Sequence, residues 1–217
     1  MATPQPEAVA DGNWAIAIHG GAGTLDRTAS PEQLAEYRAA LGAALDDGVL
    51  RLQRGESALA VCEAIVTRLE DDPHFNAGKG AAFDEKGGHQ LDASIMDGST
   101  LKCGAVAAVR TVKNPISLAR KVMENTRHVL LMGDGAEEFA TAMNVERVPN
   151  SYFDTEHRRK ALEKRLEELK NKTSSIERPG DKSTRFSTVG CVVLDNQGRL
   201  AAATSTGGLT AKKFGRI

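Results

Sequence analysis

The sequence predicts an α+β fold of mixed layers, with helices on one or both sides of sheet. Short apolar, β-branched runs end at glycines or turn clusters. Longer stretches show helical spacing behind capping residues. The order is strand, helices, loops, strands, helix, strand, helix, linker and hairpin, with no internal repeat, which suits layered packing. At 217 residues and 41% hydrophobic, the chain is long enough for a sizeable core in one domain or two small ones.

Trp14 to Ile18 is a short apolar run stopped by His19-Gly20-Gly21-Ala22-Gly23. It reads as a buried strand followed by a tight loop. A phosphate loop is the rival for these glycines, but neither GxxxxGK[ST] nor GxGxxG is completed. Ser30-Pro31-Glu32-Gln33 supplies a cap, an N1 proline and a capping-box glutamine. Leu34, Tyr37, Leu41, Leu45 and Val49 then mark one face of a helix ending before Gly55. A second helix starts at Ser57, carries Val61, Ala64, Ile65 and Leu69 on one face, and stops at Asp71-Asp72-Pro73. Phe75 to Phe83 is a second glycine-bearing loop. Its carbonyls can hold a hard cation, and a plain solvent loop is the alternative.

Leu91 to Gly98 reads as a strand with a turn, and Gly104 to Arg110 as another. Asn114-Pro115 is again a cap and N1 proline, opening a helix over Ile116 to Glu124. His128 to Met132 is a short buried strand, and Gly135 to Met143 a short helix. Glu137 and Glu138 point about 100° apart on it and read as a solvated face, not an acid/base pair. Arg158 to Lys172 is densely charged with a thin stripe of Leu162, Leu166 and Leu169. It is expected as a frayed helix that runs, over Asn171 to Ser187, into a mobile linker. The apolar Val189 to Leu194, the turn Asp195-Asn196-Gln197-Gly198 and Arg199 to Ser205 form a buried hairpin.

A net charge of -1 gives no electrostatic case for nucleic acid or an anionic membrane. Few aromatics argue against a base-stacking surface. Cys62, Cys103 and Cys191 are far apart, lack zinc spacing, and read as buried reduced thiols. No run approaches the ~18 apolar residues of a membrane helix, and Met1 to Gly12 has no signal-peptide pattern. A soluble cytoplasmic protein with a short disordered start is expected.

Ser187-Thr188 sits where the charged linker meets the hairpin. If the bond between them is cut, Thr188 carries a free α-amine beside its own hydroxyl. That amine has a reference pKa near ~7.7–8.0, so one residue supplies both nucleophile and base. No histidine is then needed, and His74, His89, His128 and His157 fall in no triad motif. An ordinary strand threonine is the alternative for Thr188 taken alone.

The chain resembles the plant-type L-asparaginases, also called isoaspartyl aminopeptidases or β-aspartyl peptidases, which are N-terminal nucleophile hydrolases. The resemblance spans Trp14 to Ile217. It rests on five ordered motifs: His19-Gly20-Gly21-Ala22-Gly23, Phe75 to Gly80, Leu91 to Gly98, Thr188-Val189-Gly190, and Ala203 to Gly208. It implies an αββα four-layer sandwich, incomplete here, and a precursor that cleaves itself before Thr188. Residues 1–187 would form an α-subunit portion with a mobile charged linker at about 157–187. Residues 188–217 would begin a β-subunit, the two together making one domain.

The resemblance also assigns roles. Thr188 matches the nucleophile and Thr206 the threonine that tunes it. Asn76 lies near cleavage and substrate, and Arg216 matches the arginine that holds the substrate α-carboxylate. His19, Gly20 and Gly21, with Ser187 and Thr188, are associated with autocleavage. Leu69, Glu70, Asp72, Phe75, Ala77 and Lys79 would hold a structural sodium (or potassium) ion by main-chain carbonyls. The implied substrates are L-asparagine and isoaspartyl dipeptides, and the implied assembly is an (αβ)2 dimer. A glycosylasparaginase-type amidase is the nearest rival; it favours a signal peptide and disulfides, and neither is seen. The family's substrate-amine aspartate and its downstream Gly/Thr oxyanion segment would follow Ile217. The chain is therefore expected to be a fragment or truncated product, and an inactive remnant is the rival from another class.

Overall fold

The computed structural model describes residues 12–22, 29–171 and 187–217. Most of the polar start, Gly23, and the linker over 172–186 lie outside the described residues. The strands are β1 (Ala15–His19), β2 (Leu91–Asp97), β3 (Lys102–Val109), β4 (Leu130–Met132), β5 (Val189–Leu194) and β6 (Leu200–Thr206). They form a six-stranded sheet in the order β1-β5-β6-β2-β3-β4. All neighbours are antiparallel except β3 and β4. The helices are α1 (Pro31–Gln53), α2 (Ala58–Asp71), α3 (Pro115–Asn125), α4 (Gly133–Ala142) and α5 (Glu156–Lys170). None is long and apolar enough to cross a membrane.

The core lies between α2, α3 and one face of the sheet. Val61, Cys62, Ile65, Val66 and Leu69 of α2 and Ile116, Leu118, Ala119 and Val122 of α3 are buried there. They meet Val189, Cys191, Val193, Ala201, Ala203, Ala93, Ile95 and Val106 from the strands. The period-two pattern of the hairpin drives this: alternate residues point inward. The other residues of the same strands form rows on the opposite face. Ala17, Val192, Ala202, Met96 and Cys103 are register partners in turn. Val192 there is 51% exposed and Met96 39%.

Capping rules fix the helix starts. The Ser30 hydroxyl accepts from Gln33 N–H at 3.3 Å while Ser30 N–H donates to Gln33 Oε1 at 3.1 Å, a reciprocal cap. Ser57 Oγ accepts from Ala60 N–H at 3.3 Å. Asp195, in the hairpin turn, adds Oδ2 to the same end by accepting from Ala58 N–H at 2.9 Å.

Several expectations are corrected. β1 and β4 are edge strands, not buried ones; Leu130 and Met132 are half exposed. The buried stripe of α1 runs through Ala44, Gly48 and Leu52, with Leu45 turned outward. Close packing is the reason: a Cβ on Gly48 would lie 2.4 Å from Ile16 Cδ1. Asn114 does not cap α3. Glu70 Oε1 accepts from Ile116 N–H at 3.0 Å instead, and the Asn114 amide donates to Asp71. Glu137 is not a solvated carboxylate: it accepts from Thr111 N–H and Oγ1 and pairs with Arg147. Cys103 is only half-buried, unlike Cys62 and Cys191. The charged stretch from Glu156 to Lys170 is helical. Its thin stripe packs Leu162, with Leu166 and Leu169 alongside, onto Phe83 and Ala211.

Candidate active site

The site is built where the hairpin's first and last residues meet the loop after α2. Val189 pairs with Ser205, so one residue further along the ladder Thr188 faces Thr206. Thr206 pairs in turn with Asp92 on β2. Thr188, Thr206 and Asp92 therefore form one row across β5, β6 and β2, at the end of the sheet where the strands begin to separate.

Thr188 Oγ1 donates to Thr206 Oγ1 at 3.2 Å. Thr206 Oγ1 in turn donates to the carbonyl oxygen of Ser187 at 3.1 Å and accepts from Gly208 N–H at 3.0 Å. The Asn76 amide nitrogen donates to the same Ser187 oxygen at 2.8 Å and to Gly208 O at 2.7 Å. Its Oδ1 accepts from Ala82 N–H at 2.7 Å, which fixes which end of the amide faces the carbonyls. Asn76 and Ser187 are buried and Thr188 is half-buried. The bond between Ser187 and Thr188 thus has its carbonyl oxygen gripped by two side-chain donors, with a hydroxyl one residue on. This arrangement can stabilise negative charge developing on that oxygen.

Two further features shape the surroundings. Gly207 has no room for a side chain: a Cβ would lie 2.6 Å from Ala81 Cβ and 2.7 Å from Asn76 Oδ1. Gly208 has φ +76, the left-handed region, and a Cβ there would lie 2.9 Å from Lys212 Nζ.

Of the residues that the resemblance associates with autocleavage, His19 ends β1 opposite Gly190. Gly20 is wedged between Leu41 and Phe75: a Cβ there would lie 3.0 Å from Leu41 Cδ2 and 3.0 Å from Phe75 Cε1. Gly21 has φ 107. Arg216 is not brought into contact with Thr188. It sits exposed after a turn in which its N–H bonds Lys213 O at 3.1 Å, within electrostatic range of Asp92 and Lys212.

The loop from Leu69 to Gly80 is mostly buried, which excludes a plain solvent loop. It curls so tightly that carbonyls converge on its glycines. A Cβ on Gly78 (φ +49) would lie 2.2 Å from Glu70 O, and one on Gly80 2.0 Å from Phe75 O and 2.6 Å from Pro73 O. Neutral carbonyl oxygens on a fixed backbone suit a hard monovalent cation. The Gly80 carbonyl itself is already occupied by Arg158 Nε at 2.7 Å.

Sequence reasoning gave no role to three buried charged side chains, although Glu70 was named for its main-chain carbonyl. The Glu70 side chain is fully buried, and burial pushes its carboxyl up to about 8 against the hydrogen bond from Ile116 N–H at 3.0 Å. The other two are Asp92 and Lys212. Burial raises the Asp92 carboxyl above its usual range and lowers the Lys212 ammonium below its own. A carboxylate between Leu91 and Ala93 in the strand Leu91–Asp97 was the available signal for Asp92.

The family described as asparaginase matches residues 12–217. Among curated proteins, the chain is 46% identical over 207 residues to an isoaspartyl peptidase of Escherichia coli K12, covering 95% of this chain and 64% of that protein. It is 45% identical over 203 residues to an isoaspartyl peptidase/L-asparaginase of Xenopus laevis, covering 93% and 62%. It is 42% identical over 214 residues to one of Mus musculus, covering 99% and 63%. The chain thus spans a little under two thirds of the length of these relatives.

Proposed function

This chain belongs to the asparaginase family, and on that footing we propose that it is an amidohydrolase precursor that cuts itself between Ser187 and Thr188. The observation that carries the reading is the Ser187 carbonyl oxygen, held by Asn76 Nδ2 at 2.8 Å and Thr206 Oγ1 at 3.1 Å beside the Thr188 hydroxyl.

The cut is an N-to-O acyl shift. Thr188 Oγ attacks the Ser187 carbonyl carbon, and its proton passes through Thr206 to the carbonyl oxygen. The new C–O bond is retained and the C–N bond breaks, with that proton ending on the Thr188 nitrogen. Water then hydrolyses the ester, leaving a Ser187 carboxylate and restoring the Thr188 hydroxyl. The freed α-amine takes the hydroxyl proton in the second reaction. Thr188 then attacks the side-chain amide of L-asparagine, or the β-linkage of an isoaspartyl dipeptide. Ammonia or an amino acid leaves, and the β-aspartyl ester is hydrolysed to aspartate. Arg216 holds the substrate α-carboxylate through its two-pronged guanidinium.

The four-layer αββα arrangement belongs to the same reading. A second sheet would cover the row Ala17, Val192, Ala202 and Met96, and two αβ units would pair as an (αβ)2 dimer. A sodium or potassium ion would be held by the carbonyls of Leu69, Glu70, Asp72, Phe75, Ala77 and Lys79. It would supply structural charge to the loop that carries Asn76 and no chemistry to the reaction.

The test is to express the protein from its complete reading frame and determine its fragments by denaturing gel and mass spectrometry. Two fragments that meet between Ser187 and Thr188 are expected, and Thr188→Ala should remain whole. An uncut wild-type chain, or a cut elsewhere, overturns the reading.

A further inference from the structure

Lys212 lies in the irregular segment after β6, yet its side chain is only 1% exposed. Its ammonium donates to Gln90 O at 2.7 Å and lies 3.7 Å from Asp92 Oδ2. Asp92 Oδ1 is occupied by Ala108 N–H at 2.8 Å, and Oδ2 has no hydrogen-bond partner among the described residues. A buried ion pair is weak evidence for stability, because apolar residues of similar volume often do as well. What the lysine does touch is Gly208: a Cβ there would lie 2.9 Å from Nζ and 3.0 Å from Cδ. The backbone of Gly208 meets both donors to the scissile carbonyl, one on each side of its Cα. Its N–H bonds Thr206 Oγ1 at 3.0 Å, and its C=O accepts from Asn76 Nδ2 at 2.7 Å. Backbone bonds Ala211 N–H to Phe83 O (2.8 Å) and Glu85 N–H to Lys212 O (3.2 Å) hold the base of the lysine.

We propose that Lys212, anchored by Asp92 and Gln90, is a positioning residue for self-cleavage: it backs Gly208, which orients Asn76 and Thr206 onto the Ser187 carbonyl. The inference rests on the self-cleavage reading above.

The test follows the conversion of newly synthesised precursor in a cell-free reaction, using the protein from its complete reading frame. Lys212→Met keeps the stem and removes the charge. Its half-time should lengthen at least tenfold with an unchanged circular dichroism spectrum. Hydroxylamine, which cleaves an ester but not the amide, should leave it slow, because the affected step precedes the ester. Lys213→Met, at the neighbouring half-buried lysine paired with Glu85, should convert at the wild-type rate. Conversion of Lys212→Met at the wild-type rate overturns the inference. So does recovery in hydroxylamine, or equal slowing in Lys213→Met. If Lys212→Met does not fold, Asp92→Asn replaces it, with at least threefold slowing expected and a wild-type rate overturning the inference. An uncut wild-type chain fails the self-cleavage reading itself, whereas a normal wild type with a normal Lys212→Met fails only this one.

Discussion

Removing the Asn76 amide is the sharpest perturbation of the candidate site. In Asn76→Ala the Ser187 carbonyl keeps Thr206 Oγ1 at 3.1 Å but loses its closer donor at 2.8 Å. A donor aimed at a developing oxyanion is worth about 3–4 kcal/mol of barrier, so cleavage should slow by about 10²–10³-fold rather than stop. Folding suffers separately. Gly208 O and Ala82 N–H, each bonded to Asn76 at 2.7 Å, lose a partner in a buried place. Each such orphan costs about 1–3 kcal/mol. Asn76→Asp separates the two effects. It retains the acceptor for Ala82 N–H but turns a carboxylate oxygen toward two carbonyls, so it should cleave no faster than the alanine variant. The assay is the time course of fragment appearance by mass spectrometry, on protein whose circular dichroism matches the wild type. Either variant cleaving within threefold of wild type would refute the role given to Asn76.

Glu70 should make stability fall with rising pH. Its carboxyl is pushed from an ordinary 4.5 to about 8, so between those values the folded protein keeps a proton the unfolded chain has lost. Stability present below about pH 4.5 then drains away up to pH 8, by about 5 kcal/mol at most. Glu70→Gln is neutral throughout and should lose this slope in melting temperature from pH 5 to 9; equal slopes would refute the assignment. Sodium or potassium chloride should raise the melting temperature above that in matched choline chloride, by the equivalent of about 2.7 kcal/mol at a hundredfold excess over Kd. Gly78→Ala, whose Cβ would meet Glu70 O at 2.2 Å, should be less stable and lose the cation response; a response as large as wild type counts against the carbonyl site. Val192→Lys probes the second sheet. On an open face the change should be within about 0.5 kcal/mol, but beneath a second sheet an unpaired ammonium costs several times that. A cost above about 2 kcal/mol in denaturant unfolding is expected, and a neutral result would refute the covered face.

The local parts of this fold were legible because their signals are local. Ser30 with Gln33, Ser57, the Asp195 to Gly198 turn and the hairpin around it each depend on neighbours a few residues away, and each forms as its pattern dictates. What escaped depended on distant partners. Leu45 fits a helical stripe as well as Ala44 does, and only the close approach of Ile16 to Gly48 selects the smaller residues. Asn114 carries the cap signature before a proline, but Glu70, 46 residues away from Ile116, reaches the helix end first. Short apolar runs such as Leu130 to Met132 look alike whether central or at an edge, because burial of a strand is decided by sheet order and not by its own residues.

The site divides along the same line, and the division explains its composition. Asn76, Ser187, Thr188 and Thr206 were named through the family resemblance, and the fold draws them into one hydrogen-bonded group in which Asn76 reaches Ser187 across 111 residues of chain. The buried charged side chains near it were harder to read: Asp92 shows only as a carboxylate within a strand, and nothing local marks Lys212 or Glu70 as buried. A carbonyl to be attacked needs its donors fixed before the reaction, because donors that must reorganise stabilise the transition state less. Thr206 and Asn76 are both polar, short and rotatable, and their two shared contacts converge on one residue, Gly208. Rigidity at Gly208, which lies in an irregular segment with φ +76, therefore has to come from side chains packed behind it. In the inference above Lys212 supplies it, anchored by Asp92 more than a hundred positions away in the chain, a contact that no local sequence pattern marks.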